Sequence, residues 1–577
     1  MESKTVKRFN TFGPCEPDKH YALPVLGKLP LVDQMFRDNY FFTIHAPRLS
    51  GKTTFLNALT DKINSEGQMY ALNVPLTSLQ NLTDDTIGVK GVIEQLNIAM
   101  SSSQVESIKQ KAYTYNQLPG MSECSVMVKI LLKRLCVDLD KDLVVFFDDV
   151  DCLSIPTIRT FLAQIRDSYN SRNHTNKFIQ SLGLVSTRNL RDYRPQVPPG
   201  EFATSVIDPF NIVKEVFTLP NSFTLEEIGA LFSQSSKATG QVFEDAALER
   251  VWYWSEGQPW VVNALANEVV DNFLNHDYSI DVTSHHIDQA ARALIKSNHV
   301  NFEPLKERLK EPIFRRIVEA VLIGASDFPQ GYFDDGLKHA LALGLLKTID
   351  NDLLVYQPVN PIYQEVIVRS LSAEIQKSIE ADIPISYVNK WFFEDYLDMT
   401  SLLESFQDYW SKHSDIYIKN NLVNGKIDDS INLSIDTVNT MNKRYINEDI
   451  YIYVKNELID LTNGALTHLV LFAFLQRAVN GRADFSQREN ALRAFRADIC
   501  IDYKGLYYPL EFKLKNFIKD QEKFDETLEQ FYQYINKNNA KNGWLIIFDI
   551  DFTEHNDNKL TIDTHEYKDK TIHVVYC

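Results

Sequence analysis

Two acids and a lysine near the end of the chain have the types and spacing needed to cut a phosphodiester bond. In RADICIDYKGLYYPLEFKLK, residues 496–515, Asp498 opens one strand pattern, and Glu511 and Lys513 lie two apart on the returning strand after a turn at 504–505. Residues two apart on a strand share a face, so a hairpin can bring both carboxylates and the ammonium together. The carboxylates would hold Mg²⁺ or Mn²⁺, the metal would activate water, and the lysine would position or deprotonate the nucleophile.

Three features favour such a site over a strand that carries charges by chance. The residues beside the acids, ICI and PLEF, are apolar, which places the carboxylates at the edge of a core. Gln530 and Tyr534 are four apart in a helical pattern and share a helix face. Residues 477–519 hold nine Lys and Arg against five Asp and Glu, which suits a phosphate backbone. A nuclease-like fold without cutting activity is the alternative interpretation.

A second chemical pattern, APRLSGKTT, lies about 450 residues earlier and is typical of a loop that holds nucleotide phosphates. It connects the apolar strand pattern YFFTIHA to the helical pattern TTFLNALTDKI. Lys52 would reach the β- and γ-phosphates of ATP, and the Thr53 hydroxyl would bind Mg²⁺. A surface turn that happens to read GKT is the alternative. The predicted nucleotide-binding residues of the loop are Ala46, Pro47, Arg48, Ser50, Gly51, Lys52, Thr53 and Thr54.

Two aspartates end a second apolar strand pattern, DLVVFFDDVD, at 142–151. Asp148 would hold the magnesium ion through water. Asp149 stands where related ATPases carry a water-activating glutamate and is one methylene shorter. Hydrolysis by this chain is therefore expected to be slow, with the nucleotide acting as a switch, unless Asp149 is merely an acidic strand end.

Polar residues also end a third apolar strand pattern at 181–189. Ser186 and Thr187 are candidates to sense the γ-phosphate. Arg188, Arg191 and Arg194 are candidates for an arginine supplied to a neighbouring subunit, which would make this region a homo-oligomer contact. A solvated basic loop is the alternative interpretation.

Composition limits the classes of protein. A chain of 577 residues is too long to fold around one hydrophobic core, so we expect roughly three or four domains. A formal net charge of −18 excludes a chain that coats nucleic acid along its whole surface, so such contact would be local. Six cysteines without a C-x-x-C pair predict neither a zinc knuckle nor a disulfide framework. The first residues lack a signal-like apolar core and the longest apolar run falls far short of the ~20 residues that span a bilayer, so we expect a cytoplasmic protein without membrane contact.

The elements around these patterns indicate several folded parts. Three apolar strand patterns separated by helical ones predict a parallel α/β sheet with helices on both faces. A helical stretch begins after residue 216, with Ser222 and Thr224 as caps. Helical patterns over 300–372 are followed by two strand patterns around a turn, which suggests a winged helix.

A family resemblance rests on several motifs that occur in order. FNTFGPCEPDKHYALP, HAPRLSGKTT, FFDDVD, RDYR, DPFNI and EGQPWVVNALA together resemble the AAA-like P-loop ATPases of a bacterial group, over roughly residues 9–370. The G-Q-P element is similar to the G-x-P lid motif of STAND and origin-recognition-like ATPases. The resemblance implies that Pro259 lies near the adenine and that HYALP, at 20–24, borders the base. A routine first helical residue is the alternative for Pro259.

The C-terminal stretch, roughly residues 455–550, resembles the PD-(D/E)XK nuclease superfamily, and the spacing Q-x3-Y is similar to an element of RecB-type nucleases. The resemblance implies a further acid on the first helix, for which Glu457 is the candidate and Glu489 the substitute. The set that it implies is Asp498 and Glu511 as metal ligands, Lys513 as catalytic lysine, and Gln530 and Tyr534 as auxiliary groups.

Together these patterns predict an α/β multidomain chain: an AAA-like ATPase core at 1–215, a helical lid at 216–298, a winged-helix-like domain at 299–375, a helical connector at 376–450 and a restriction-endonuclease-like α/β domain at 451–577. The predicted function is an ATP-regulated, Mg²⁺-dependent nuclease that acts on DNA in preference to RNA, with a role by analogy in defence against foreign DNA. A nucleotide-switched scaffold with an inert last domain is the main alternative, and a DNA-translocating motor is a third.

Overall fold

The computed structural model describes the chain in segments separated by gaps. The described residues are 6–80, 82–115, 125–173, 176–187, 212–297, 299–322, 334–350, 355–382, 391–423, 467, 469–475, 477–478, 484–487, 499–515, 518, 520–537, 539–548 and 562–577. The chain divides into two compact units, Met1–Ser297 with Leu341–Gly344, and Asn298–Ala340 with Leu345–Cys577.

A five-stranded parallel sheet forms the centre of the first unit. Its strands run in the spatial order β2-β3-β4-β1-β5, and every neighbouring pair is parallel. The carboxyl ends of parallel strands meet at one edge, so the loop after β1 and the acids after β3 reach the same place. The sheet confirms the predicted α/β fold and fits a P-loop NTPase. The strands are β1 (Phe41–His45), β2 (Tyr70–Pro75), β3 (Leu143–Asp148), β4 (Ser181–Ser186) and β5 (Val213–Thr218).

Alternate residues of the buried strands face two separate apolar cores. Val144 and Phe146 pack in one core, and Val145 and Phe147 pack in the other. The first core is covered by α1 (Leu31–Arg37) and α2 (Lys52–Glu66), and the second by α3 (Asp85–Ser101), α4 (Glu106–Tyr115), α5 (Met127–Asp138) and α6 (Ile155–Ser171). Short 3-10 turns occur at Leu26–Lys28, Thr77–Leu79 and Val150–Cys152. The strands are apolar on both faces because helices cover both faces.

A group of helices follows the sheet in the same unit. Thr224 caps the first of them: its hydroxyl accepts from the Glu227 amide at 3.2 Å, and the Glu227 carboxylate accepts from the Thr224 amide at 3.0 Å. This reciprocal capping box satisfies two amides that the helix start would otherwise leave unpaired. The helices are α7 (Leu225–Thr239), α8 (Asp245–Ser255), α9 (Pro259–Asn267) and α10 (Ser284–Lys296), with a π-helical turn at Glu268–Phe273.

The second unit begins with helices and one strand pair. The two strand patterns of the winged-helix-like segment form an antiparallel pair in which Leu346 lies opposite Pro358. The elements are a 3-10 turn (Val300–Phe302), α11 (Glu303–Arg308), α12 (Pro312–Leu322), α13 (Asp334–Ala342), β6 (Leu346–Asp350), β7 (Val355–Pro358), α14 (Pro361–Asp382) and α15 (Met399–Val423).

A six-stranded mixed sheet completes the second unit, in the order β12-β13-β11-β10-β9-β8. Strands β8, β9 and β10 form an antiparallel series, and α16 then leads to β11, which lies parallel to β10. The elements are β8 (Asp484–Gln487), β9 (Ile499–Tyr503), β10 (Leu506–Leu514), α16 (Gln521–Lys537), β11 (Asn542–Phe548), β12 (Ile562–Tyr567) and β13 (Lys570–Tyr576).

Helix α15, in the segment predicted as a connector, packs against this sheet. The Phe406 ring lies 5.9 Å from the Phe548 ring, and Gln407 Nε2 donates to the Tyr576 carbonyl at 2.7 Å. Residues 469–475 are helical and buried. Among the described segments we find no helix that has both the length and the apolar composition needed to cross a bilayer.

Candidate functional site

The loop after β1 has the backbone shape of an anion-binding turn. β1 ends at His45 and α2 begins at Lys52, so six residues make the connection. Gly51 has a φ of +89° and Leu49 a φ of +63°, in the left-handed region that glycine adopts at no steric cost and other residues adopt with strain. The first amides of α2 lie at the positive end of the helix dipole. The sequence therefore places backbone donors where a phosphate would bind.

Lys52 folds back over this loop. Its Nζ donates to the carbonyl oxygens of Ala46 at 2.9 Å and Pro47 at 3.0 Å, and only 7% of the residue is exposed. Burial lowers the pKa of Lys52, although the nearby aspartates oppose that shift. The Ser50 hydroxyl also donates to the Pro47 carbonyl, at 2.8 Å. A phosphate would offer the ammonium anionic oxygens, which are stronger acceptors than these carbonyls.

Thr53 and Asp148 meet at the carboxyl edge of the sheet. Thr53 Oγ1 donates to Asp148 Oδ2 at 2.7 Å, and the Asp149 amide donates to Asp148 Oδ1 at 3.0 Å. Burial raises the pKa of the Asp148 carboxyl to about 6, and the charge of Asp149 adds to that rise. Hydroxyl and carboxylate oxygens are the ligands that Mg²⁺ prefers. The residues therefore fit the ion that the sequence predicted here.

Asp149 is held by a neighbour that sequence reasoning missed. The hydroxyl of Thr77, which lies in the turn after β2, donates to Asp149 Oδ2 at 2.8 Å. Asp149 itself has a left-handed φ of +55°. The sequence offered no sign of this contact, because β2 was not among the predicted strands.

A third aspartate, Asp151, binds the end of β4. The amide of Thr187 donates to Asp151 Oδ2 at 3.3 Å, and the Thr187 hydroxyl donates to the same oxygen. The Ser186 carbonyl accepts from the Ala46 amide at 3.2 Å, which fastens the phosphate-binding loop to β4. Thr187, the predicted γ-phosphate sensor, therefore lies at the same sheet edge, and its partner Asp151 is a further site residue that the sequence analysis did not single out.

Each aspartate of FFDDVD thus accepts a hydrogen bond from a threonine of a different element. Thr53 belongs to α2, Thr77 follows β2 and Thr187 follows β4. These partners are neutral, so they leave the charge of the three carboxylates in place. Among the described residues these three carboxylates do not converge as one metal-ligating group, so the part of this edge that fits Mg²⁺ is Asp148 with the Thr53 hydroxyl.

An N-terminal turn joins α2 to α9. The Cys15 amide donates to Thr54 Oγ1 at 3.0 Å, and Trp260 Nε1 donates to the Thr11 carbonyl at 3.1 Å. Trp260 follows Pro259, the first residue of α9. Pro259 therefore has the routine N1 position and also lies beside a residue that contacts this turn.

The HYALP segment is bonded to α7 through the Gln234 side chain. Gln234 accepts from the Ala22 amide at 3.2 Å and donates to the Ala22 carbonyl at 2.8 Å. The neighbouring Tyr21 is buried. This segment therefore packs with the helical group that follows the sheet.

The turn before Pro259 requires glycine. Gly257 has a φ of +77°, and a β-carbon there would lie 2.1 Å from the Phe223 carbonyl oxygen. That oxygen cannot move freely, because the Phe223 amide donates to the Gly257 carbonyl at 2.7 Å. The G-Q-P element is thus a close backbone crossing at the start of α9.

Part of the predicted set lies outside the described residues, namely Arg188, Arg191, Arg194, Glu457, Glu489 and Asp498. Of the C-terminal set, Glu511 and Lys513 lie together on β10, where Lys513 Nζ is 3.0 Å from Glu511 Oε1. The Glu511 side chain is 1% exposed and that of Lys513 is 17% exposed. In the hairpin, Ile499 pairs with Leu510, the residue before Glu511.

The structure separates the two helical residues of this set by exposure. Gln530 is exposed on α16, whereas Tyr534 is buried, with its ring 6.2 Å from the Phe531 ring. Among the residues that the structure describes, no group of three or more His, Cys, Asp and Glu side chains is arranged to hold a metal ion. The described part of this site is therefore a buried carboxylate paired with one ammonium.

Comparisons with known proteins give structural similarity alone. No protein-family model matches the chain, and no curated protein matches it significantly. The Walker-type ATPase PABY2304 of Pyrococcus abyssi is similar at 13% identity and a TM-score of 0.44, over 62% of this chain and 99% of that one. The RuvB Holliday junction branch migration motor of Thermotoga maritima is similar at 14% identity and a TM-score of 0.33, over 59% and 93%. Cdc6p from Pyrobaculum aerophilum gives 12% identity and a TM-score of 0.35, over 61% and 95%.

Proposed function

We propose that this protein binds and slowly hydrolyses ATP in the first unit, and that the nucleotide state controls a Mg²⁺-dependent nuclease in the second. The observation that carries the nucleotide part is the 2.7 Å contact between Thr53 and Asp148 beside the buried Lys52. Lys52 and Thr53 come from α2, which follows β1, and Asp148 comes from the end of β3. Strands β1 and β3 flank β4, so these groups meet at the sheet edge where parallel strands place ligands. DNA is the preferred substrate, and defence against foreign DNA remains an analogy.

In the nucleotide site each residue has a separate task. Lys52 would leave the Ala46 and Pro47 carbonyls and bind the phosphates, while the amides at the start of α2 hold the same anion. Thr53 and Asp148 would hold Mg²⁺, which shields the phosphate charge when bound. Asp149 would orient the attacking water once it leaves Thr77, and Thr187 would contact the γ-phosphate.

In the second unit, Glu511 and Lys513 would do the cutting with Asp498. Three antiparallel strands, a helix and a further parallel strand support this proposal, because they bring a hairpin and a helix to one sheet. A bound Mg²⁺ or Mn²⁺ would polarise the scissile phosphate. Glu511 would supply an anionic oxygen to the ion, and Lys513 would hold the attacking water and steady the leaving oxygen.

The test is a cleavage assay on the full chain with single-stranded DNA, double-stranded DNA and RNA, each with Mg²⁺ or Mn²⁺ under ATP, ADP or no nucleotide. We expect cleavage of DNA by the wild type, loss of cleavage in Lys513→Ala, and loss of its nucleotide dependence in Lys52→Ala. Lys515→Ala, an exposed lysine on the same hairpin, is the matched control. Equal, negligible cleavage by the wild type and Lys513→Ala, with ATP binding intact, would instead favour a nucleotide-switched scaffold.

A further inference from the structure

A short turn in the second unit presents two aromatic rings to solvent. The turn, here called the aromatic tip, consists of Phe393, Glu394, Asp395 and Tyr396, all four exposed. The Phe393 amide donates to the Tyr396 carbonyl at 3.0 Å, which closes the turn. The two rings stack in parallel with centroids 4.8 Å apart and planes 6° apart. Phe393 is 45% exposed and Tyr396 is 48% exposed, so this apolar surface remains open.

The aromatic tip is held in place by the β9–β10 hairpin. The Tyr503 hydroxyl donates to the Phe393 carbonyl at 2.9 Å, and the Leu397 amide donates to the Tyr508 hydroxyl at 2.9 Å. Lys504 Nζ donates to the Glu394 carbonyl. Two of these contacts hold the tip backbone at Phe393 and Glu394, and the third holds Leu397, the residue that follows the tip. A partner would therefore meet a surface that is already ordered, which reduces the entropy lost on binding.

The hairpin also extends the apolar surface. Leu506 lies opposite Tyr503 in the antiparallel register, so their side chains share a face. Leu506 is 47% exposed, and the Tyr503 ring lies 5.1 Å from the Phe392 ring. The aromatic tip and the hairpin that holds it thus carry three exposed apolar side chains, Phe393, Tyr396 and Leu506.

The charge on the aromatic tip is negative. Among the described residues no ion pair involves the carboxylate of Glu394 or Asp395. The Lys504 ammonium contacts the Glu394 backbone carbonyl, so two carboxylates stand against one ammonium at the tip. Ring faces attract cations through their quadrupole, and free carboxylates do so through their charge. The chain as a whole carries a formal net charge of −18, which adds to this attraction at longer range.

We propose that the aromatic tip is a docking site for an arginine-rich segment of a partner protein. A guanidinium is planar, so it can stack on the outer face of Phe393 or Tyr396 while its donors reach a carboxylate in a bidentate pair. A lysine ammonium can do only one of these well. Nucleic acid fits less well, because its phosphates would meet the two carboxylates of Glu394 and Asp395 with one ammonium, that of Lys504, at the turn.

The test measures binding of two fluorescein-labelled peptides, hexa-arginine and hexalysine, to the full chain in 0.15 M salt by fluorescence anisotropy. General attraction to an acidic protein would treat the peptides alike, since they carry equal charge. We expect the arginine peptide to bind about fivefold more tightly, the size that two exposed cation–π contacts provide. Phe393→Ala with Tyr396→Ala should remove that preference, and Glu394→Gln with Asp395→Asn should weaken the binding of both peptides.

Two further variants keep the result interpretable. Phe393→Leu with Tyr396→Leu retains an apolar turn and should also lose the arginine preference, which separates the effect of the rings from misfolding. Phe273→Ala removes a 40% exposed ring two residues after Asp271 in the other unit, and it should bind as the wild type does. Equal affinity for the two peptides, or a preference that survives loss of both rings, would overturn the proposal. So would binding of an oligothymidine strand that depends on Phe393 and Tyr396, since the tip would then serve nucleic acid.

Discussion

The two candidate sites hold their acids in opposite ways. In the first unit, Asp148, Asp149 and Asp151 each accept a hydrogen bond from a neutral threonine hydroxyl. In the second unit, the buried Glu511 is paired with the ammonium of Lys513. A hydroxyl orients a carboxylate and leaves its charge, whereas an ammonium cancels it. The first arrangement therefore keeps an excess of negative charge for an incoming cation, and the second is close to neutral before any ligand arrives.

This difference also determines how each site affects the stability of the folded state. Burial and the neighbouring charge of Asp149 disfavour ionisation of Asp148 and outweigh the opposing charge of Lys52, so the pKa of Asp148 rises to about 6. A buried ion pair stays ionised, but each partner then depends on the other. Breaking the pair and removing an isolated acid should consequently affect stability in different ways.

Lys513→Met should cause the largest change. It leaves the Glu511 carboxylate, 1% exposed, without its cation, and loss of one partner of a buried pair costs about 3 kcal/mol. The measurement is urea unfolding of the second unit followed through Trp544, a buried residue of β11. Lys515→Met is the control and should change little. Glu511→Leu combined with Lys513→Met should recover most of the lost stability. If Lys513→Met alone is as stable as the control, the Glu511–Lys513 pair does not stabilise this sheet.

Asp148→Asn should alter the pH dependence of stability in the first unit. The pKa of the Asp148 carboxyl is raised from 3.8 to about 6, so the folded state binds this proton more tightly than the unfolded state. The stabilising contribution is full below pH 3.8 and is lost as the pH rises through 6. Between pH 4.5 and 7.5 the wild type should lose about 2 kcal/mol that Asp148→Asn does not lose. Unfolding free energies measured without nucleotide across that range test this, and parallel curves for the two proteins would contradict it.

Thr77→Val should give the smallest effect, a rise of about fivefold in ATP turnover. The variant removes the hydroxyl that donates to Asp149 at 2.8 Å, and one such neutral hydrogen bond is worth about 1 kcal/mol. Asp149 would then orient water without first leaving a partner. Steady-state phosphate release is the measurement. The control is Thr239→Val, whose hydroxyl donates to the Ser235 carbonyl and accepts from the Gln241 amide at the end of α7. Unchanged or slower turnover would show that Thr77 does not restrain Asp149.

The sequence predicted the parts of the fold that local pattern determines. The GKT loop, the apolar strands β1, β3 and β4 and the parallel sheet follow from residue type and spacing, and the structure confirms that sheet. Strands β2 and β5 were missed, because β2 interrupts its apolar residues with Asn73 and ends at Pro75, and β5 mixes exposed and half-buried positions without regular alternation. The order of the strands in the sheet depends on contacts between residues far apart in the sequence, so local patterns do not predict it.

The hydrogen-bond partners of the site aspartates depend on this strand order. Asp151 reaches Thr187 only because β4 lies next to β3, and Asp149 reaches Thr77 only because β2 lies on the other side. In the second unit the pairing of Glu511 with Lys513 follows from their separation by one residue on a strand, which the sequence does show. Their role in cleavage stays a prediction, since Asp498 lies outside the described residues.

The strand order of the first sheet also bears on how the protein is made. Phe41 of β1 pairs with Leu182 of β4 and Val213 of β5, so the strand that carries the phosphate-binding loop finds its neighbours about 140 and 170 residues later. At a synthesis rate of ~5–20 residues per second, the loop leaves the ribosome roughly 10–30 s before β5 can hold it. During that interval β1 can pair with β4, but its other side has no strand to bond. The strand that carries the GKT loop is thus the last interior strand of this sheet to gain both of its neighbours.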